Sequence, residues 1–317
     1  MPQESQEVPR PAPQPESTEP QDESTAPQGR SKTLKEVFYK YGRYYGSVKP
    51  EKYKFPIDEE EMARYDLFNK IFLMARNDAI FSYPMQSLSP RVMDLGGGTG
   101  IWSILLSDNY LPNATIQSVD LHRVQPPEIP PNVTMTTADI EEPSWETLFT
   151  DCDLIHMRLM LGAIHNPAWP HIYRKAFEHT TPGGYIEQVE IDWLPVVDGL
   201  NTPVHLLKWA TDFLDAMDNF QQSARVNSER VRAMMEAAGY VNFQDRTIRL
   251  YLNPSTANPD VNYLARWFNA CLVSGLHAMS LTPMIEGLGK TIDEVKALCK
   301  KAEDDTLVLE KRVYCVM

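Results

Sequence analysis

Residues 94–100 read Asp94-Leu95-Gly96-Gly97-Gly98-Thr99-Gly100, a D-x-G-x-G-x-G run. Before it, Arg91-Val92-Met93 lead into Asp94-Leu95 as a short apolar segment that reads as a buried strand. After it, Trp102, Ile104, Leu105 and Leu106 read as the apolar positions of a helix. Glycine is required where the main chain bends sharply or a ligand approaches the backbone closely. A strand, a glycine turn and a helix in that order therefore predict a Rossmann-like nucleotide site. A carboxylate directly ahead of the first glycine repels a pyrophosphate and attracts the amino group of a bound amino acid. Asp94 thus favours the methionine moiety of S-adenosylmethionine, with a dinucleotide as the alternative.

Further along the chain, more residues fit that cofactor. Asp120 ends the next predicted strand (114–120), twenty residues after Gly100. A carboxylate there can accept hydrogen bonds from both ribose hydroxyls. Asp139 lies just past a third predicted strand (133–137), where a side chain can reach the adenine amino group, and Ile140 beside it joins the same set. His156 and Met157 close a fourth strand (154–157), at the C-terminal edge where such sheets bind ligands. The candidate cofactor residues are then Asp94, Gly96, Gly98, Gly100, Asp120, Asp139, Ile140, His156 and Met157, joined by Tyr44 from an aromatic stretch discussed below. Gly97 reads as a tolerated small residue at a variable position. Trp102 reads as core packing, and for His156 a buried, hydrogen-bonded histidine is the competing reading.

Upstream, residues 1–32 consist largely of Pro, Gln, Glu, Ser and Thr. Such a segment buries too little apolar surface to offset its ordering entropy, so a disordered tail is expected. From residue 33 one folded domain is expected to run to 317. Tyr41, Tyr44 and Tyr45 could fold over the cofactor, since aromatic faces attract a sulfonium, or could belong to a lid or core helix. Asp58-Glu59-Glu60-Glu61 opens a helical period through Met74, which Pro84 and Pro90 are expected to end. Downstream, helices are predicted over 168–179, 205–220, 228–238, 260–279 and 291–301, and strands over 185–191, 243–252 and 312–317. Thr291 and Glu294 have capping-box spacing. Strands alternating with helices predict an α/β fold with a mostly parallel sheet, and 254–305 a helical cap inserted before the last strand.

Composition narrows the function. With 30 Lys and Arg against 43 Asp and Glu, the net charge of −13 argues against direct nucleic-acid binding. Cys152, Cys271, Cys299 and Cys315 form no C-x-x-C pair or zinc spacing, so reduced thiols and no metal site are expected. No apolar run looks long enough to span a bilayer, and no signal-peptide core is evident at the N-terminus, so no membrane association is expected.

The run Asp94–Trp102 resembles the LaeA-like methyltransferases of filamentous fungi. So do Tyr44-Tyr45-Gly46, Pro56-Ile57-Asp58-Glu59, Asp153-Leu154-Ile155-His156-Met157-Arg158 and Pro182-Gly183-Gly184-Tyr185-Ile186-Glu187. Val273-Ser274-Gly275-Leu276 and Ala278-Met279-Ser280-Leu281 match as well. That family's usual loop reads Gly-Thr-Gly-Thr-Gly, so Gly97 departs from it. The resemblance implies a class I S-adenosylmethionine-dependent methyltransferase fold. It also implies a nuclear regulator of secondary metabolism and development that works with velvet-domain proteins, whereas the lack of a signal-peptide core or membrane run is compatible with the cytoplasm as well as the nucleus. It supplies neither a methyl acceptor nor a catalytic base, and the catalytic residues stay unknown. Transfer from a sulfonium needs chiefly proximity, orientation and a dry site, with a base only if the acceptor must lose a proton. Glu187, Glu190 or Asp192 could orient an acceptor amine. Three readings follow: a protein methyltransferase, a small-molecule O- or N-methyltransferase, and a cofactor-binding scaffold with little turnover. A closed apolar cavity under 254–290 favours a small molecule, and an open acidic groove favours a protein.

Overall fold

In the computed structural model, residues 36–198, 202–308 and 312–317 are described, so the expected tail at 1–32 lies outside the described residues. The aromatic stretch is a hairpin and not a helix. Strands β1 (Val37–Lys40) and β2 (Arg43–Gly46) pair antiparallel. Tyr41 and Gly42 turn the chain with φ of 51° and 83°, the left-handed pair that a tight two-residue hairpin needs. Tyrosines alternate across it, so Phe38 stacks on Tyr45 and Tyr39 meets Tyr44 as cross-strand partners.

Helix α1 (Glu59–Ala75) starts at Asp58, whose side chain accepts from the Glu61 amide while three glutamates fill the first turn. It stops well before the prolines, because Asn77 and Asp78 take left-handed conformations with φ of 53° and 62°. The central sheet follows: β3 (Arg91–Leu95), β4 (Thr115–Asp120), β5 (Val133–Thr137), β6 (Cys152–Arg158) and β7 (Thr180–Val189). Its order is β5-β4-β3-β6-β7, and every pair is parallel. Helix α2 (Ile101–Leu105) runs into a π turn at Leu106–Tyr110, and α3 (Trp169–His179) bridges β6 to β7. Thus the order reverses at β3, and the glycine turn lies at that switch point.

The last part of the sheet differs from expectation. The predicted strand 185–191 begins earlier, at Thr180, and after Glu190 and Ile191 the chain continues as an unpredicted strand, β8 (Asp192–Val197). After α4 (Val204–Asn219) and α5 (Ser228–Ala238) comes β9, shortened to Arg249–Tyr251. Gly239 closes α5 with φ of 116°. Helices α6 (Pro259–Thr282) and α7 (Ile292–Thr306) separate β9 from β10 (Val313–Val316). The final strand joins a second, antiparallel sheet of order β8-β10-β9 instead of the parallel one.

Helices α6 and α7 pack on each other, on α1 and on α4. They do so as core elements: Phe268, Leu272, Leu276 and Cys299 are buried beside Trp209 and Phe213 of α4. Each such apolar side chain contributes about 1.5–3 kcal/mol by burial. The Trp209 indole donates to Ser280 Oγ at 2.7 Å, which satisfies both buried polar groups. One stretch, Pro259–Gly287, does reach the length and hydropathy of a membrane span, contrary to the expectation from the sequence. Two-thirds of its apolar window (67%) is buried inside the protein, which accounts for its composition as a core helix.

Candidate cofactor site

The glycine turn is fixed by its neighbour strand. The amides of Gly96 and Gly97 both donate to the Val119 carbonyl at 2.8 and 3.0 Å, and Gly96, Gly98 and Gly100 have φ of 75°, 55° and 78°. Those angles are ordinary for glycine and strained for other residues. The Gly98 amide donates to Asp120 Oδ2 at 2.8 Å, and the His122 amide to Asp120 Oδ1 at 3.0 Å. Burial, opposed by these two bonds, raises the Asp120 pKa above the usual carboxylate value. Each oxygen keeps a lone pair free of these amides, so Asp120 can still accept from two hydroxyls.

Around this turn opens a cleft of about 1060 Å³, including its open mouth. Gly96, Gly98 and Thr99 of the glycine turn line it, together with Asp120, Leu121 and Ile140. Tyr53, Tyr65, Phe68 and Met62 line it too. A glycine floor, a carboxylate at the end of β4, apolar flanks and aromatic faces suit an adenosyl sulfonium.

Comparison with known proteins gives the family. Residues 63–245 match the family described as a methyltransferase domain. The chain is 47% identical over 285 residues to the secondary metabolism regulator laeA of Fusarium oxysporum f. sp. lycopersici, covering 89% of this chain and 90% of that one. It is also 47% identical to the secondary metabolism regulator LAE1 of Gibberella fujikuroi, with the same coverage. Among solved structures, Haemonchus contortus phosphoethanolamine N-methyltransferase 2 is 12% identical, with a TM-score of 0.43 over 81% of this chain and 57% of that one. The chain belongs to the LaeA/LAE1 family of secondary metabolism regulators. It is an S-adenosylmethionine-dependent methyltransferase.

In this LaeA/LAE1-type chain, Gly96, Gly98, Asp120, Asp139 and Ile140 line the cleft, whereas Tyr44, Asp94, Gly100, His156 and Met157 do not. Asp94 sits beneath the turn, 3% exposed. Its Oδ1 lies 2.9 Å from His156 Nδ1, and its Oδ2 accepts from Ser103 at 3.0 Å. The His156 ring stacks on Trp102 at 3.8 Å, nearly parallel. Asp94 and His156 thus brace the turn from below. Met157 is fully buried in the sheet, and Gly100 faces Met135, whose Cε would stand 2.3 Å from an added Cβ. Tyr44 packs against Tyr39 in the hairpin, and its amide donates to Asp58.

Asp139 is in the cleft wall but already engaged. Lys49 and Lys52 both donate to its Oδ2, and Oδ1 accepts from the Glu141 amide at 3.0 Å. Burial works against its charge, but the lysines outweigh that and hold its carboxyl below the usual range. An adenine amino group at this position would have to share Asp139 with two cations. Of the other acids considered, Glu187 pairs with Arg76, Glu190 accepts the Met160 amide at 3.0 Å, and Asp192 accepts the Leu194 amide at 3.1 Å. None of these three lines the cleft.

Residues that local motifs did not reveal complete the site. Lys52 and Tyr53 line the cleft from a segment that is tied down by Lys52 to Asp139 and Glu141, and by Gln222 to the Lys52 carbonyl. The Tyr53 and Tyr65 hydroxyls hydrogen-bond each other, and burial pushes both phenols above their ordinary pKa. Arg158 ends β6 and faces the cleft. Its place at a strand end beside the glycine turn was the one available signal, because His156 and Met157 were read from the same edge. When bound, S-adenosylmethionine supplies an electrophilic methyl group. Gly96 and Gly98 would let it approach the backbone, Asp120 would accept its ribose hydroxyls, and Tyr53, Tyr65 and Phe68 would help to exclude water.

Proposed function

We propose that this methyltransferase methylates protein and acts as a nuclear regulator of secondary metabolism together with velvet-domain proteins. The observation that carries the choice of acceptor is the composition of the cleft wall. No residue of 254–290 contributes to it, so those helices do not enclose an apolar chamber over the cofactor. They pack instead on α1 and α4. The chain as a whole carries a charge of −13, which favours a basic partner segment. The naming of relatives as secondary metabolism regulators supports the regulatory role. Incubation of the full chain with methyl-labelled cofactor, purified velvet-domain partners and a fungal small-molecule extract tests the acceptor. Label in a protein band is the expected result; label confined to low-molecular-weight products would sink the proposal.

A further inference from the structure

Arg158 stands at the C-terminal end of β6 and lines the cleft. Its Nη1 donates to Asn69 Oδ1 at 3.0 Å, and its guanidinium lies 4.7 Å from the Phe72 ring centre. Among the described residues no carboxylate is within ion-pair distance of it, although two acids influence it. Asp94 is committed to His156 and Ser103, and Glu187 to Arg76 and the Ser82 amide. One Glu187 oxygen lacks a partner, yet no ion pair to Arg158 forms. The side chain keeps some exposure, as a cleft-lining residue does, while the protein packed around it brings its pKa down to about 10 by desolvation. A guanidinium so placed is unfavourable unless an anion completes it.

The register says where that anion belongs. Leu95 of β3 pairs with Met157 of β6, so Gly96 and Arg158 are the next residues outward on adjacent strands. Asp120 lies on the opposite side of β3, at the end of β4. A ligand whose sugar sits on Asp120 and crosses the glycine turn delivers its other end to Arg158. We infer that Arg158 receives the carboxylate of the cofactor's methionine moiety and makes the site selective for the intact aminoacyl group. A planar guanidinium with Nε and Nη2 still to be matched suits a carboxylate geometrically. The inference rests on S-adenosylmethionine being the ligand of this cleft.

Calorimetric titration of the full chain with S-adenosylmethionine and with decarboxylated S-adenosylmethionine tests this, in the wild type and in Arg158→Met and Arg158→Lys. The wild type should prefer the intact cofactor by about 10- to 100-fold, the range of a charged hydrogen bond. Arg158→Met should weaken the intact cofactor by a similar factor and leave the decarboxylated form unchanged or tighter, because a repelling cation is gone. Arg158→Lys, which keeps the charge and loses the fork, should retain part of the preference and serves if the methionine variant does not fold. Equal affinity of the wild type for both ligands overturns the inference, as does an equal loss for both ligands in the variants. No heat from S-adenosylmethionine on the wild type would instead overturn the cofactor site itself, and this inference with it.

Discussion

At Gly97 an added Cβ would stand 1.9 Å from Ser118 Oγ and 3.2 Å from Asp94 Oδ2. The position is therefore constrained, although sequence alone reads it as free. The constraint comes from β4, where Ser118 pairs in register with Asp94, and no local pattern reports a neighbour strand's hydroxyl. Gly97→Ala should destabilise the protein by roughly 1–3 kcal/mol through overpacking, and Ser118→Ala in the same chain should recover at least half of it. Urea unfolding of the single and double variants checks this; equal stability of Gly97→Ala and wild type would contradict it. Glu190 gives a second prediction. Burial pushes its carboxyl up to about 7, against hydrogen bonds from Gln188, Met160 and Leu161. A carboxyl with a folded pKa above its unfolded value binds its proton more tightly when folded. Its contribution is full below about pH 4.5 and is lost as pH rises through 7, on the order of 2–3 kcal/mol. Glu190→Gln should remove that share of the slope, measured as unfolding free energy at pH 5 and pH 8. A slope identical to wild type would show that Glu190 keeps an ordinary pKa. The acids also show what was legible at this scale. Asp120 and Asp139 were placed at the cleft by strand-end position alone. The lysines that occupy Asp139 lie about ninety residues upstream and left no local trace.

Among the elements, those with strong end signals were read closely. Thr291 caps α7, accepting from the Glu294 amide while the Glu294 side chain accepts from the Thr291 amide, as the spacing implied. Thr291→Ala should lower stability by about 1 kcal/mol, seen as a lower urea midpoint with an unchanged m-value; no shift would mean that tertiary packing alone holds the helix end. The five parallel strands were legible because each carries apolar or β-branched residues between turn residues, although β7 begins five residues earlier than its apolar part. The hairpin β1–β2 was not, because its alternating tyrosines are compatible with several settings and its turn, Tyr41-Gly42, lacks the usual asparagine or aspartate. The period read through Met74 stops one residue short of the end of α1, but its stop signal was misattributed: Asn77 and Asp78 end the helix by conformation, before any proline is reached. Strand β8 was missed: only two residues separate it from β7, and the strand read over 185–191 stopped where β8 begins.

For the molecule as a whole, the sequence reading gave the right class of fold and the right end of the sheet. It did not foresee that β8, β9 and β10 form their own antiparallel sheet, since pairing partners far apart in sequence carry no periodic signal. The apolar side chains of 260–281 read as core or cap, but their packing partners, α1 and α4, were not legible. Which surface buries such side chains depends on where the chain returns. The cleft is likewise assembled from distant parts: the 47–57 segment, α1, the glycine turn and three strand ends. The most direct test of this assembly is a crystal structure of the chain with S-adenosylhomocysteine. The ribose hydroxyls should lie within hydrogen-bond distance of Asp120, with the aminoacyl end crossing Gly96 toward Arg158. A nucleoside bound elsewhere, or Asp120 making no contact with the sugar, would contradict the account.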